Sequence, residues 1–232
     1  MTISFIYNAL NTTFMFDPLL SLIAPHQCLQ CGVEGTLWCM DCREAVPPAI
    51  ERCYRCHALS ARSRTCASCR LPSPLYSVQA ATRYEGHAKR LIWRFKFERA
   101  KAAVYPITAI MERHSLASES LIVPVPTSTN RVRQRGYDQT VLIARRFSLQ
   151  RSLPYHAALM RLGRQQQHTA TRAQRLSQLA QAFIVPRPEA VNGKHVVLVD
   201  DVITTGATLE AAARALKLAG AKRVSAIVFA QA

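Results

Sequence analysis

The stretch that most limits what this chain can fold into is Val196–Thr208, VVLVDDVITTGAT. Four apolar residues, three of them β-branched, run without interruption into two adjacent aspartates. A half-wet strand alternates apolar and polar residues, so an unbroken run predicts a strand covered on both faces. Such strands belong to parallel sheets with helices on either side. Asp200 and Asp201 then fall at the carboxyl end of their strand, where open α/β sheets bind ligands. From there Thr204, Thr205, Gly206, Ala207 and Thr208 lead into a helix expected over Leu209–Leu218. Backbone N–H groups at a helix N-terminus, with three threonine hydroxyls beside them, make an anion cradle, and Gly206 allows close approach of the main chain. Carboxylates repel phosphate, so Asp200 and Asp201 must serve something else, either ribose hydroxyls or a Mg²⁺ travelling with the phosphates. Donors for phosphate beside acceptors for a vicinal diol describe a phosphoribosyl group.

The rest of the chain supplies the alternation such a sheet needs. Strands are expected at Val78–Tyr84, Leu121–Val123 and Val224–Phe229, and helices at Lys89–Phe97, Lys101–His114, Tyr137–Leu149 and Thr171–Ala182. Thr171 and Gln174 can form a capping box for the last of these. Gly220 suits the position after the Leu209 helix. Leu71-Pro72-Ser73-Pro74 reads as a linker, and the PVPTST loop after Leu121–Val123 is stiffened by Pro124 and Pro126. The expected class is α/β, a parallel sheet flanked by helices. The expected divisions are an N-terminal segment 1–27, a cysteine module 28–70 and the α/β domain 71–232.

All eight cysteines lie in four C-x-x-C pairs: Cys28/Cys31, Cys39/Cys42, Cys53/Cys56 and Cys66/Cys69. One pair turns two thiolates onto a cation, and two pairs complete a tetrahedral Zn²⁺ site. Eight ligands predict two structural zinc ions. Short loops favour consecutive pairing, Cys28–Cys42 and Cys53–Cys69, because closure then costs less entropy; a cross-braced arrangement stays open. The segment is too short for a core of its own, so metal should supply most of its folding energy. It serves either as a structural staple or as a contact for nucleic acid or protein.

The first basic residue is Arg43, which is late for a secretory signal. The most apolar early run, Phe14–Ala24, is short for a membrane span and is broken by Asp17-Pro18. A cytoplasmic protein without membrane insertion is therefore expected. The formal net charge of +16 is uneven. Residues 120–195 hold 12 basic and 2 acidic side chains, and a one-sided excess points to a polyanionic partner.

VVLVDDVITTGAT matches the phosphoribosyl-pyrophosphate (PRPP) motif of type I phosphoribosyltransferases position by position. With the cysteine pairs, VPVPTSTNRVRQRGYDQ and TRAQRLSQLAQAF, the chain resembles the ComF/GntX family from about Leu19 onward. That resemblance implies a type I phosphoribosyltransferase-like domain behind a double zinc ribbon. It also implies a role in natural competence and use of imported DNA, with single-stranded DNA and, in some lineages, a competence helicase as partners. Val125, Pro126, Thr127 and Ser128 would form the pyrophosphate loop. The family's Arg-x3-Arg-Gly-aromatic-Asn-Gln pattern falls on Arg131, Arg135, Gly136, Tyr137, Asp138 and Gln139. Asp138 replaces the usual Asn, exchanging an amide donor for a charge. Gln174 and Gln178 stand where Glu and Asn are common.

Two functions follow. In the first, the protein handles nucleic acid and keeps a pocket for PRPP or a nucleotide, with Arg131, Arg133, Arg135, Arg161, Arg164, Arg172 and Arg175 tracking phosphates. Tyr84, Trp93, Phe95, Phe97 and Tyr137 are the candidate stacking rings. In the second, it is an active Mg²⁺-dependent phosphoribosyltransferase, with Asp200 and Asp201 on the ribose and Arg131 or Arg135 steadying the leaving pyrophosphate. No acceptor base can be read from the sequence.

Overall fold

The computed structural model describes residues 26–162 and 182–232. Two short helices, α1 (Met40–Glu44) and α2 (Ala67–Arg70), lie among the cysteines. The α/β part then runs β1 (Val78–Arg83), α3 (Gly86–Phe97), α4 (Val104–Met111), β2 (Ser120–Pro124), α5 (Thr129–Arg135) and α6 (Gln139–Arg151). It continues with β3 (Met160–Arg161), β4 (Phe183–Ile184), β5 (His195–Ile203), α7 (Ala207–Leu218) and β6 (Arg223–Gln231).

Four strands form a wholly parallel sheet in the order β1-β6-β5-β2. Val123 pairs with Leu198, and Leu198 with Ala226. The pleat sends alternate residues to opposite faces. Ile122, Val197, Val199, Ile227 and Phe229 join α3, α4 and α6 in one apolar core. Leu121, Val123, Val196, Leu198, Val224 and Val228 join α7 in the other. Both faces are covered, which is why β5 reads as an unbroken apolar run.

The two halves of the cysteine module reach opposite faces of this sheet. Cys28, Leu37, Trp38 and Cys42 are buried in the core with Phe95, Ile227 and Phe229. Tyr54 and Leu75 are buried in the core with Val228 and Leu209. The module therefore borrows its core from both layers of the α/β part. Arg113 adds a tie, donating from Nη1 to Val46 O at 2.9 Å and from Nη2 to Arg43 O at 2.5 Å.

Several element limits differ from the sequence expectation. The strand expected at Val196–Val199 continues through the aspartates to Ile203, because Asp200 and Val202 still pair with β6. Helix α5 was not expected. It covers Thr129–Arg135 and ends where Gly136 takes φ +81°, a left-handed conformation that closes a helix without a Cβ clash. The helix expected from Tyr137 starts at Gln139, since Asp138 is its N-cap. The short antiparallel pair β3–β4 was also not expected. The helix expected over Thr171–Ala182 lies, but for Ala182, outside the described residues.

Candidate functional site

The carboxyl ends of β2 and β5 open into a cleft of about 940 Å³. Its walls bring together Val125, Pro126, Thr127 and Ser128 after β2, Asp200 and Asp201 near the end of β5, Thr204 of the following turn and Thr208 in the first turn of α7. Arg131 and Arg135 of α5 and Arg161 of β3 complete the basic side. Thr205 and Gly206 form the turn into α7, where Thr205 Oγ1 accepts from Ala207 N at 3.4 Å. Arg133 is exposed on α5 and does not line the cleft. Arg164, Arg172 and Arg175 lie outside the described residues.

The acid pair is held asymmetrically. Asp201 is buried, and its Oδ2 takes an ion pair from Lys96 Nζ at 2.8 Å. Asp200 Oδ1 accepts from Asp201 N at 2.8 Å. Desolvation, followed by the charge of Asp201, pushes the Asp200 carboxyl up to about 8. Asp200 therefore keeps its proton at neutral pH, as expected for a desolvated carboxyl beside a like charge. Burial, and then the neighbouring Arg131, hold Arg135 below the usual guanidinium range.

Asp138 has a role that the sequence reading missed. It accepts from Thr140 N at 3.0 Å and Val141 N at 3.4 Å as the cap of α6. It also accepts from Thr127 N at 2.9 Å and Thr127 Oγ1 at 3.1 Å. The carboxylate thus ties the loop after β2 to the start of α6. Lys96 and Asn130 also line the cleft and were not singled out as site residues. A lysine in the KRLIWRFKF helix carries no signal that separates it from its neighbours. Only the helical phase, with Leu91, Ile92 and Phe95 buried, turns Lys96 toward the acid pair.

Gly206 was expected to let the main chain approach a ligand. Its φ is +77°, and the space a side chain would occupy is taken from behind by Tyr54. A Cβ there would stand 2.7 Å from Tyr54 Cδ2 and 3.0 Å from Cε2. The Tyr54 hydroxyl donates to Glu210 Oε1 at 2.7 Å and lies 2.5 Å from Ser73 Oγ. Arg55 Nε pairs with the same Glu210 carboxylate at 3.4 Å. Tyr54 and Arg55 are the two residues between Cys53 and Cys56, so one cysteine knuckle braces the turn and the first turn of α7. Ser73, read as part of a linker, belongs to this brace.

Among the described residues, two cysteine groups could hold a metal ion: Cys28, Cys31, Cys39, Cys42 and Cys53, Cys56, Cys66, Cys69. The pairing is consecutive. Within each group the sulfurs lie within 4.8 Å of one another. Cys31 and Cys39 are 3.6 Å apart, and Cys56 and Cys66 are 3.5 Å apart. Tetrahedral ligation with bonds of about 2.3 Å puts sulfurs roughly 3.8 Å apart, so both donor sets fit. The thiols divide accordingly. Burial raises Cys28, but donors from the backbone of Cys31, Cys39 and Gln30 outweigh it and bring the thiol down to about 6. The Ser68 hydroxyl and the Cys69 backbone bring Cys66 down to about 6. Cys69 is pushed up to about 12, first by Cys66. Four sulfurs at this spacing cannot all ionise without a cation among them.

The candidate stacking rings separate by burial. Phe95 and Tyr137 belong to the core, their rings 5.6 Å apart, with the Tyr137 hydroxyl donating to Phe95 O. They are withdrawn as nucleic-acid contacts, because neither presents a face to solvent. Tyr84 lines the cleft. Trp93 and Phe97 are 51% and 63% exposed.

No helix among the described residues is long and apolar enough to cross a membrane. Residues 138–232 match the phosphoribosyl transferase domain family. The chain is 31% identical to competence protein ComFC of Bacillus subtilis, over 57% of this chain and 55% of that protein. It is 29% identical to the DNA utilization protein YhgH of Salmonella typhimurium, over 88% of this chain and 96% of that one. A solved structure described as the allosteric regulatory enzyme of purine biosynthesis aligns with a TM-score of 0.40 at 23% identity, over 55% of this chain and 25% of that chain. With two four-cysteine groups ahead of a segment that matches the phosphoribosyl transferase domain family, the chain is a homologue of these competence and DNA utilization proteins.

Proposed function

We propose that this protein is a DNA-handling factor that binds single-stranded DNA and holds PRPP or a related nucleotide in the cleft at the ends of β2 and β5. The observation that carries the reading is the cleft itself. It sets the Asp200–Asp201 pair and the hydroxyls of Thr204 and Thr208 against Arg131, Arg135 and Arg161. Diol acceptors and phosphate donors thus face one space. The PRPP diphosphate brings Mg²⁺, and the loop Val125–Ser128 with Arg131 or Arg135 holds the pyrophosphate end. Zinc fills both cysteine sites, and the divisions 1–27, 28–70 and 71–232 act as segment, brace and ligand domain. A helicase of the competence machinery and a cytoplasmic location accompany this role.

The test is direct. Purified protein binds a fluorescent single-stranded oligonucleotide, and affinity falls roughly tenfold or more between about 50 and about 200 mM salt, because displaced counterions drive association. Affinity that ignores salt overturns the DNA part. Thermal-shift titration with PRPP and Mg²⁺ raises the melting midpoint of wild type and not of Asp201→Ala. Transfer of the phosphoribosyl group to a base is the competing reading, favoured by the acid pair on the cleft wall. Sustained pyrophosphate release with PRPP, Mg²⁺ and one base, lost in Asp201→Ala, would establish it.

A further inference from the structure

Helix α3 divides its side chains three ways. Leu91, Ile92 and Phe95 are buried in the core. Lys96 turns into the cleft, to Asp201. Trp93 and Phe97 point outward, one turn apart, with ring centroids 5.9 Å apart and planes at 42°. Single exposed hydrophobic residues are ordinary, but two large adjoining rings left open to water mark a contact surface. The pair is continuous with the cleft. Arg135, a cleft residue, sets its guanidinium 5.5 Å from the centroid of Phe97.

Charge decides the occupant. Lys89, Arg90 and Arg94 lie on α3, where Lys96 is already paired with Asp201, and Arg99 and Lys101 follow it. Arg131, Arg133 and Arg135 stand on α5. Glu98 is the acidic residue at this end of α3, and Arg94 Nε already holds it at 2.5 Å. Flat apolar rings among unbalanced cations suit a polyanion that carries flat apolar groups of its own. A single nucleic-acid strand has that chemistry, with phosphates for the arginines and unstacked bases for the rings. Duplex DNA keeps its bases stacked inside and gives the rings nothing to meet.

We propose that Trp93 and Phe97 form a base-stacking platform on the rim of the cleft, where a single strand rests with its phosphates against Arg131 and Arg135. The proposal rests on the DNA-binding reading above and names the surface that carries it.

The chain has two tryptophans, and Trp38 is buried while Trp93 is half exposed. Intrinsic emission therefore reports the platform. In the metal-loaded full chain, acrylamide quenches roughly half of the emission, and a Trp93→Phe variant loses that fraction. Titration with oligothymidylate quenches the same fraction, with the midpoint found by anisotropy of a labelled strand. Trp93→Ala and Phe97→Ala each weaken the strand by roughly tenfold and leave the salt slope and the melting midpoint unchanged. Arg131→Ala lowers the salt slope instead. A strand that binds without quenching, and equally well to both alanine variants, overturns the platform and leaves the DNA-binding reading intact. No binding of any strand at low salt overturns both. Emission that acrylamide cannot reach in the free protein overturns the platform by showing the rings covered. Equal quenching by duplex DNA overturns the assignment of single strands.

Discussion

Asp200 keeps its proton well above the range of a solvated carboxyl, and this gives the site a pH signature. Its pKa rises from 3.8 toward about 8 on folding, by desolvation and then by Asp201. The folded state therefore binds one proton more than the unfolded chain between these values. Stability falls as pH rises from about 4 to about 8, because the slope follows the proton difference between states. Melting midpoints of wild type and Asp200→Asn should diverge in the variant's favour as pH rises from about 5 to about 8; parallel curves would remove Asp200 as the cause. Gly206 makes a second residue-scale prediction. Gly206→Ala should cost about 1–3 kcal/mol in denaturant unfolding, since φ +77° strains any Cβ and the Tyr54 ring occupies its place. Tyr54→Ala combined with Gly206→Ala should be less damaging than the two losses added, because the steric part is shared. Simple additivity would show that the ring and the turn do not press on each other.

At the scale of elements, the loop after β2 and the helix α6 behave as one piece through Asp138. Asp138→Ala should destabilise the protein by about 1–2 kcal/mol, the usual loss for a helix cap, and should release Thr127 from its two bonds. Asp138→Asn keeps an acceptor for the cap and removes a negative charge close to the cleft. It should bind PRPP more tightly than wild type in a thermal-shift titration; weaker binding would mean that the charge assists the ligand. The sequence made the departure from Asn look like a loss, because reading a motif attends to the ligand and not to the helix start beside it. The buried run of β5, the α/β class and the consecutive cysteine pairs were legible, since each follows from periodicity or spacing within a short stretch. The division of five aromatic residues into core and surface was not. Phe95 and Trp93 are two residues apart, about 200° around the helix, so only the helical phase decides which of them faces the core. Helix α5 escaped notice for a related reason: six of its seven residues are polar or basic, with no buried position to set a period.

Across the whole molecule, the two cysteine groups stand on opposite sides of the sheet and are buried with different cores. Removing metal from the intact protein with a strong chelator should lower the melting midpoint on the order of 10 °C, since several kcal/mol of ligation then leave both layers. Hydrogen exchange should rise at Gly206–Glu210 as well as among the cysteines, because Tyr54 and Arg55 hold that turn from the second knuckle. Cys53→Ser should reproduce the change in the loop, whereas Cys28→Ser should loosen the other face; the same exchange pattern from both would mean that the metals act only through global stability. The long reach of that brace also orders events during synthesis. Tyr54 and its partner Glu210 are 156 positions apart, and Ser77, just before β1, meets Ser225 of β6 across 148. A ribosome needs roughly 10–30 s to make that much chain. All eight thiols emerge before any strand of the sheet, and β1 must wait, unpaired, for β6. Both metal-ligand sets are thus available to the nascent chain, and a shortage of the ion at that moment would leave the later strands to assemble against a knuckle that has not yet formed.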